Sequence, residues 1–391
     1  MPFHLLASSI SNVVKTMDIS SLLQSVEPAQ LEAIVRQSLQ RDAFQIQDWQ
    51  VSQLGGGAGN PVSVGLYRFE GSGKAGEESL AWSVILKILQ SPANVGMVDM
   101  GEGENQAHWN YWKRELYVYQ SGLLEMLPDG MSSPRCFGTV EQPGNTAWLW
   151  LEDIADSFAG DWSLERYALT ARHLGRLNGT FGILRPLPTN PWLGANLTRQ
   201  WGASFRPIWQ SLPWEHHHIL ERYPRSNSFQ RLLQDYERFQ TRLNLLPRTI
   251  CHGDTYPTNF MSRKLADGQE QTVALDWALV NIGPIGDDLG QLAFGAWTNL
   301  KEVRREDITQ ALFDSYIQGL RDCGCYIDPK QVRFGFTASA ALRIGLFQIY
   351  LLSEELKRDR EPAREVVEQS ITPKCFEVAM ADEAYELLGS V

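Results

Sequence analysis

The sequence predicts an α+β chain in which a small, strand-rich first part precedes a larger, helix-rich second part. Three observations predict it. Between about Leu54 and Leu151, apolar residues alternate in short runs with a period of two, the pattern of half-buried strands. From Ser163 onward the prevailing period is that of helices packed on one face. Within that second part, Cys251-His252-Gly253-Asp254-Thr255-Tyr256-Pro257-Thr258-Asn259 and the later Ala274-Leu275-Asp276-Trp277 set two carboxylates and an amide on short loops between apolar segments.

Composition bounds the function. With 391 residues, 43% of them hydrophobic, the chain can bury a sizeable core, and its 21% charged residues are too few and too mixed for disorder. A formal net charge of -11 argues against nucleic acid as the main partner, because phosphates would be repelled. The same acidity suits a cationic small molecule and is equally ordinary for a soluble enzyme. The five cysteines cannot all pair, and Cys323-Gly324-Cys325 has neither a second pair nor a histidine near it. Free thiols in a reducing compartment are expected, without zinc. No apolar run approaches membrane-spanning length, and Met1 to Ile19 lacks a charged start and a cleavage pattern, so the chain reads as cytoplasmic with no membrane partner. Nothing in it fixes the oligomeric state.

Taken in order, Glu27-Pro28-Ala29-Gln30 opens a helix with Leu31, Ile34, Val35 and Leu39 on one face, an N-terminal helical extension over 1–45. A strand ends at Val51-Ser52-Gln53-Leu54, and Gly55-Gly56-Gly57-Ala58-Gly59 leads into a second strand with Val62, Val64 and Leu66 on one side. A glycine-rich turn between two strands can lay backbone N–H groups over phosphates; no Gly-Lys-Ser/Thr follows, so it is not a Walker A loop. After a turn at Gly71 to Glu78, Leu80, Trp82, Val84, Leu86 and Ile88 alternate to one side. Lys87 then falls on the other, with Ser83, Ile85 and Leu89. A lysine on so apolar a strand needs its charge paired. The partner expected is a glutamate on the next helix, read over Glu104 to Leu124: Glu115, with Glu102 and Glu104 as alternatives. Strands at Arg135 to Glu141 and Ala147 to Leu151 flank a turn at Gln142-Pro143-Gly144-Asn145 and end in Glu152-Asp153-Ile154.

Beyond Ser163, Leu164, Ala168, Ala171, Leu174 and Leu177 define one helix face. Asn190 to His218 is rich in tryptophan (Trp192, Trp201, Trp209, Trp214) and broken by Pro191, Pro207 and Pro213. Its aromatics could wall a ligand pocket or simply pack. Three consecutive histidines, His216 to His218, point different ways and are read as surface or hinge residues. Phe229 to Leu246 is a further helix, leading through the strand Thr249-Ile250-Cys251 into the loop. A hairpin after Asn259, turning at Asp267-Gly268-Gln269, would gather Asp254, Asn259 and Asp276 around one site. The remainder is helical, as the spacings of Ile308, Leu312, Tyr316, Leu320 and of Leu342, Leu346, Ile349 indicate.

This ordered set resembles the machinery of kinases. With His-Gly-Asp in place of His-Arg-Asp, and Asp-Trp in place of Asp-Phe-Gly, it resembles the aminoglycoside phosphotransferase and choline kinase-like branch, over about Leu54 to Leu289. The resemblance implies a protein-kinase-like two-lobed fold: a small antiparallel β-sheet N-lobe over 46–154 and a mostly helical C-lobe over 155–391. It implies transfer of the γ-phosphoryl group of ATP or GTP, with Mg2+, to a hydroxyl of a small molecule of antibiotic, sugar or amino-alcohol type. Asp254 would be the catalytic base, and Asn259 and Asp276 the metal ligands. Lys87, held by Glu115, would orient the phosphates under Gly55, Gly56, Gly57, Ala58 and Gly59. Peptide groups around Glu152, Asp153 and Ile154 would hold the base of the nucleotide. His252 and Asp288 would support the loop. An activation segment for a protein substrate is not evident, and His252 with Asp254 lacks a well-placed nucleophile for hydrolysis. A catalytically silent nucleotide-binding scaffold of the same fold is the alternative.

Overall fold

The computed structural model describes residues 22, 25–55, 62–95, 104–157, 160–216, 227–357 and 376–389. Helix α1 (Pro28–Leu39) has Pro28 in its first turn, where a missing N–H costs nothing, and buries Leu31, Ile34 and Val35. Strands β1 (Phe44–Leu54), β2 (Ser63–Ala75) and β3 (Glu78–Gln90) form an antiparallel meander. Helix α2 (Arg114–Gln120) and the short β4 (Met131–Ser132) come next, then the hairpin of β5 (Cys136–Gln142) and β6 (Thr146–Glu152), which sets β6 against β3. The sheet is antiparallel throughout, in the order β1-β2-β3-β6-β5.

Alternation along β3 gives this sheet two buried faces. Trp82, Val84, Leu86 and Ile88 pack with Phe69, Trp150 and the apolar face of α1. Ile85 and Leu89 point the other way and pack with Leu149, Leu151, Trp112 and Leu116, the last carried by α2. Lys87 belongs to this second face.

The helical part contains α3 (Leu164–Thr180), β7 (Gly194–Ala195), α4 (Leu197–Ser211), α5 (Asn227–Gln234), α6 (Tyr236–Leu245), β8 (Arg248–Cys251), β9 (Phe260–Lys264), β10 (Glu270–Ala274) and β11 (Asn281–Pro284). It closes with α7 (Leu289–Asn299), α8 (Arg305–Asp322), α9 (Pro329–Lys357) and α10 (Phe376–Leu387). Two small sheets, β4-β10-β9 and β7-β11-β8, carry the loops between them. No helix among the described residues is long and apolar enough to cross a membrane.

Several elements differ from the sequence expectation. The turn read over Gly71 to Glu78 shrinks to Gly76 and Glu77, because β2 and β3 stay paired out to Ala75 opposite Glu78. Val62, Val64 and Leu66 do not share a side. A register shift between Ser63 and Gly65 turns Val64 toward the α1 face, while Val62 and Leu66 pack with Ile85 and Leu89. The long helix read from Glu104 is helical only over Arg114–Gln120; Glu104 instead accepts hydrogen bonds from Ser91 and from the Trp112 indole. Helix α4 runs through Pro207, and the stretch Phe229 to Leu246 is two helices divided at Asp235. Glu102, His217 and His218 lie outside the described residues.

Helices α3 and α8 approach most closely at glycines. A Cβ on Gly319 would lie 1.9 Å from the Arg172 carbonyl oxygen, and one on Gly175 would lie 2.2 Å from that of Tyr316. Both obstacles are backbone, which cannot rotate aside. Gly319→Ala is therefore expected to destabilise the chain by about 1–3 kcal/mol through forced separation of the pair. Urea denaturation measures this, and an unchanged midpoint would contradict the packing described.

Candidate active site

Strand β3 delivers Lys87 into the space between the sheet and the helical part, where it is 6% exposed. Its ammonium lies 2.5 Å from Glu115 Oε2 on α2 and 3.0 Å from Asp276 Oδ1, just beyond β10. Three separate elements thus meet at one cation. Burial alone would lower the lysine pKa, but Asp276 and Glu115 outweigh it and hold Lys87 protonated. For Glu115, 1% exposed, burial pushes the carboxyl up to about 7 while the Lys87 ammonium pulls it down. Burial also works to raise Asp276, yet Lys87 keeps it below the usual carboxylate range.

The other groups arrive through the β9–β10 hairpin and the loop after β8. Ala274 pairs with Phe260, and the Leu275 N–H donates to the Asn259 carbonyl at 2.8 Å, so Asn259 and Asp276 flank the open end of the hairpin. The Asn259 amide nitrogen donates to the Asp254 carbonyl at 3.0 Å, tying the two ends of the loop together. Asp254 Oδ1 is buried and has no hydrogen-bond partner among the described residues. Burial, reinforced by Asp276, raises this carboxyl to about 6, and Arg343 opposes the rise.

A backbone constraint explains the glycine of His-Gly-Asp. Gly253 has φ +80°, and a Cβ there would lie 2.1 Å from the Leu279 carbonyl oxygen. The segment after Asp276 folds over this residue because β11 pairs with β8, Asn281 opposite Cys251. Asp276 itself adopts φ +54°, a left-handed conformation that only a few non-glycine residues tolerate.

The loop is held from beneath by Asp288, whose carboxylate accepts the N–H groups of His252 at 2.9 Å and Gly253 at 3.0 Å and the Asn178 amide at 3.1 Å. His252 Nε2 faces the Leu275 carbonyl at 2.9 Å and Nδ1 accepts from the Asp254 N–H at 3.2 Å, which fixes a neutral imidazole protonated at Nε2. Its ring packs on Trp277 at 4.6 Å. Burial lowers its pKa to about 4.

The remaining predicted positions are less central. Gly55 follows β1 with open space around it, and Gly56, Gly57, Ala58 and Gly59 lie outside the described residues. The side chains of Glu152 and Asp153 are engaged in ion pairs, Glu152 with Arg263 and Arg135, Asp153 with Arg68. The Glu152 N–H donates to the Arg135 carbonyl, so that donor is already used. Ile154 follows, half-buried.

Sequence reasoning missed Arg114, Gln291 and Arg343. Arg114, 1% exposed, donates to the carbonyls of Trp192 at 2.8 Å, Trp109 at 2.5 Å and Ala278 at 3.0 Å, and also to that of His108. It staples α2, and with it Glu115, to the segment beyond Asp276. Gln291 Oε1 accepts the Thr255 N–H at 2.9 Å, and Arg343 Nη2 donates to the Gly253 carbonyl. Lys113-Arg114-Glu115 reads as an ordinary charged run, and an arginine in the apolar middle of α9 was the only signal for Arg343.

Comparison with solved structures bears on this architecture. Amicoumacin kinase hAmiN in complex with AMP-PNP, Ca2+ and Ami matches with a TM-score of 0.50 at 15% identity, over 85% of this chain and 88% of that one. The chain has a protein-kinase-like fold. Choline kinase LicA from Streptococcus pneumoniae (15% identity, 91% of this chain, 96% of that one, TM-score 0.47) lies below that similarity. So does an aminoglycoside phosphotransferase from Alicyclobacillus acidocaldarius (13%, 88%, 91%, 0.48). The sequence profile of the ecdysteroid kinase-like family matches residues 198–326. No curated protein sequence matches the chain. Within the kinase-like fold, β3 with α2 and the β8-to-β10 segment are the elements that meet at Lys87.

The neutrality of His252 has a measurable consequence. Its folded pKa of about 4 lies below the ordinary value of about 6.5, so the unfolded chain takes up the proton first. Its contribution to stability is complete above pH ~6.5 and lost as the pH falls toward 4. Replacing it, as in His252→Asn, should make stability less steep in pH over that window by up to ~1.4 kcal/mol per pH unit. Denaturant titrations of both chains at several pH values test this, and parallel profiles would contradict a buried neutral ring.

Proposed function

We propose that the chain is a small-molecule kinase that moves the γ-phosphoryl group of ATP or GTP to a hydroxyl group. The observation that carries this reading is the buried Lys87, held by Glu115 and touching Asp276, at the open end of a hairpin flanked by Asn259, whose amide is tied to Asp254 on the preceding loop. Lys87 orients the phosphates, and Glu115 keeps the ammonium in place. In the transfer, the acceptor oxygen bonds to the γ-phosphorus as the bond to the β,γ-bridging oxygen breaks. Asp254 takes the hydroxyl proton, and the nucleoside diphosphate departs. In this reading 1–45 is an extension, 46–154 the nucleotide clamp and 155–391 the part that carries the loop and the acceptor. The clamp takes in Gly55 to Gly59 and the peptide groups at Glu152, Asp153 and Ile154. His252 and Asp288 support the loop.

The donor set suits a hard divalent cation. Asp276 is held ionised by Lys87, and the Asn259 amide nitrogen is committed to the Asp254 carbonyl, which leaves its Oδ1 as the donor atom. Among the described residues no cluster of three or more acidic, histidine or cysteine side chains forms a site from protein groups alone. Two ligands of this kind fit Mg2+, which shares its shell with phosphate oxygens and water. Bound there, the ion would neutralise charge on the β- and γ-phosphates. The free thiols Cys136, Cys251, Cys323 and Cys325 agree with a cytoplasmic, reducing setting.

Because alignment and charge neutralisation supply most of the acceleration in this chemistry, a metal ligand should matter as much as the base. Asp254→Ala and Asp276→Ala are each expected to lower kcat on the order of 10²–10⁴-fold. The measurement is acceptor-dependent ADP release with Mg-ATP, across antibiotics, sugars and amino alcohols. Near-normal turnover in either variant would overturn the assignment. Nucleotide binding without release for any acceptor would leave a silent nucleotide-binding scaffold.

A further inference from the structure

The backbone of Asp254 is pinned on both sides. Its N–H donates to His252 Nδ1 at 3.2 Å, and the carbonyl of the same peptide group, that of Gly253, accepts from Arg343 Nη2. On the other side, its own carbonyl accepts from the Asn259 amide at 3.0 Å, and the Thr255 N–H donates to Gln291 Oε1 at 2.9 Å. All four polar groups of the two peptide planes that meet at its Cα are therefore bonded to side chains. His252 and Asn259 belong to the loop itself. Gln291 comes from α7 and Arg343 from α9, so these two tie the planes to the helical body.

Both side chains sit where a polar group is costly. Gln291 is 4% and Arg343 3% exposed. The guanidinium lies over the Trp201 ring, 5.3 Å from the centroid, and the space it shares with Trp201, Tyr256 and Gln291 has room for about one water. An apolar side chain of the same length would fill either position without the cost of burying a polar group. What each residue contributes instead is a fixed peptide plane. Two fixed planes set φ and ψ of Asp254, and hence the direction of its Cα–Cβ bond.

We propose that Gln291 and Arg343 are positioning residues for phosphoryl transfer, a two-armed clamp that aims the Asp254 carboxylate at the hydroxyl it deprotonates. The inference rests on the phosphoryl-transfer reading above and adds to it the residues that orient the base. Neither residue has to touch the acceptor or the nucleotide; both act through the backbone of Asp254. Asp288 does not fix this direction, since it grips the N–H groups of His252 and Gly253, upstream of the two planes. With its backbone held, Asp254 keeps Oδ1 free of partners among the described residues. A carboxylate on a fixed stem meets the acceptor oxygen in one geometry, whereas a loose stem would have to be ordered in every turnover.

Gln291→Met and Arg343→Met keep the packing and remove the hydrogen bonds, and Arg343→Lys keeps a cationic donor. Hydrolysis of Mg-ATP by the full chain, with water as the acceptor, supplies the kinetic readout. A water oxygen bonds to the γ-phosphorus as the bridging bond breaks, Asp254 takes the proton, and ADP and phosphate are released. Each Met variant is expected to lower kcat on the order of 10²-fold with the KM for ATP unchanged within about threefold, and Arg343→Lys to recover about tenfold of that loss. In crystal structures of the same chains, the Asp254 carboxylate should shift by about 1 Å or more in the Met variants. Should Arg343→Met fail to fold, Gln291→Met, which removes no charge, decides. A folded Gln291→Met chain whose kcat stays within about threefold of the unaltered one, whose loss lies wholly in KM, or whose Asp254 carboxylate has not moved would overturn the proposal. Failure of the phosphoryl-transfer reading has a different signature: the unaltered chain releases no ADP with water or with any alcohol, while the carboxylate still shifts in the Met variants.

Discussion

One buried cation between two carboxylates holds the site together. Lys87 comes from the sheet, Glu115 from α2 and Asp276 from the turn after β10; Lys87 and Glu115 are buried and neither could stay charged there alone, while Asp276 is part-exposed. Taking such charges out of water costs several kcal/mol each, and only mutual contact offsets it. The contact therefore specifies a geometry more than it adds stability. The sheet must present its second face, α2 must dock on it, and the hairpin must keep its register, or an uncompensated charge is left inside. Arg114 reinforces the same requirement from the backbone, by holding the helix of Glu115 to the carbonyl just past Asp276.

Around this centre the loop is fixed by backbone groups rather than by side chains packing side by side. Asp288 takes two consecutive N–H groups, His252 bridges Leu275 and Asp254, and Gly253 accepts the close passage of Leu279. Each is a buried polar interaction with its partner in place, which is the condition for a rigid arrangement. Within the loop itself, Asp254 Oδ1 is a buried oxygen left without a hydrogen-bond partner among the described residues. A site that is tight in its supports and unsatisfied at its working atoms is preorganised for a charge that arrives with a ligand.

Much of this was legible in the chain because strand periodicity is local. The alternation around Lys87 needs no tertiary information, and it places the lysine opposite Trp82, Val84, Leu86 and Ile88, as found. The hairpin linking Asn259 to Asp276 is likewise written in two short apolar runs and a polar turn. What escaped was long-range or irregular. A single register shift at Ser63 to Gly65 reverses Val64, and no composition signal marks it. Glu104 looked helical because Trp109, Trp112 and Leu116 are helically spaced, yet its carboxylate is taken by Ser91 and Trp112. Arg114 and Arg343 act on carbonyls far away in sequence, so only the folded chain reveals their roles. The tryptophans of the 190–218 stretch divide in the same way: Trp192 and Trp209 join the main core, whereas Trp201 packs with Leu197 and Phe347 in a separate small cluster.

The most direct measurement is a crystal structure of the chain with Mg2+ and AMP-PNP. The account predicts the phosphates beside Lys87, the ion on Asp276 and Asn259, and the γ-phosphorus open toward Asp254. Nucleotide bound elsewhere, or an ion held by other carboxylates with Lys87 still closed on Asp276, would contradict it.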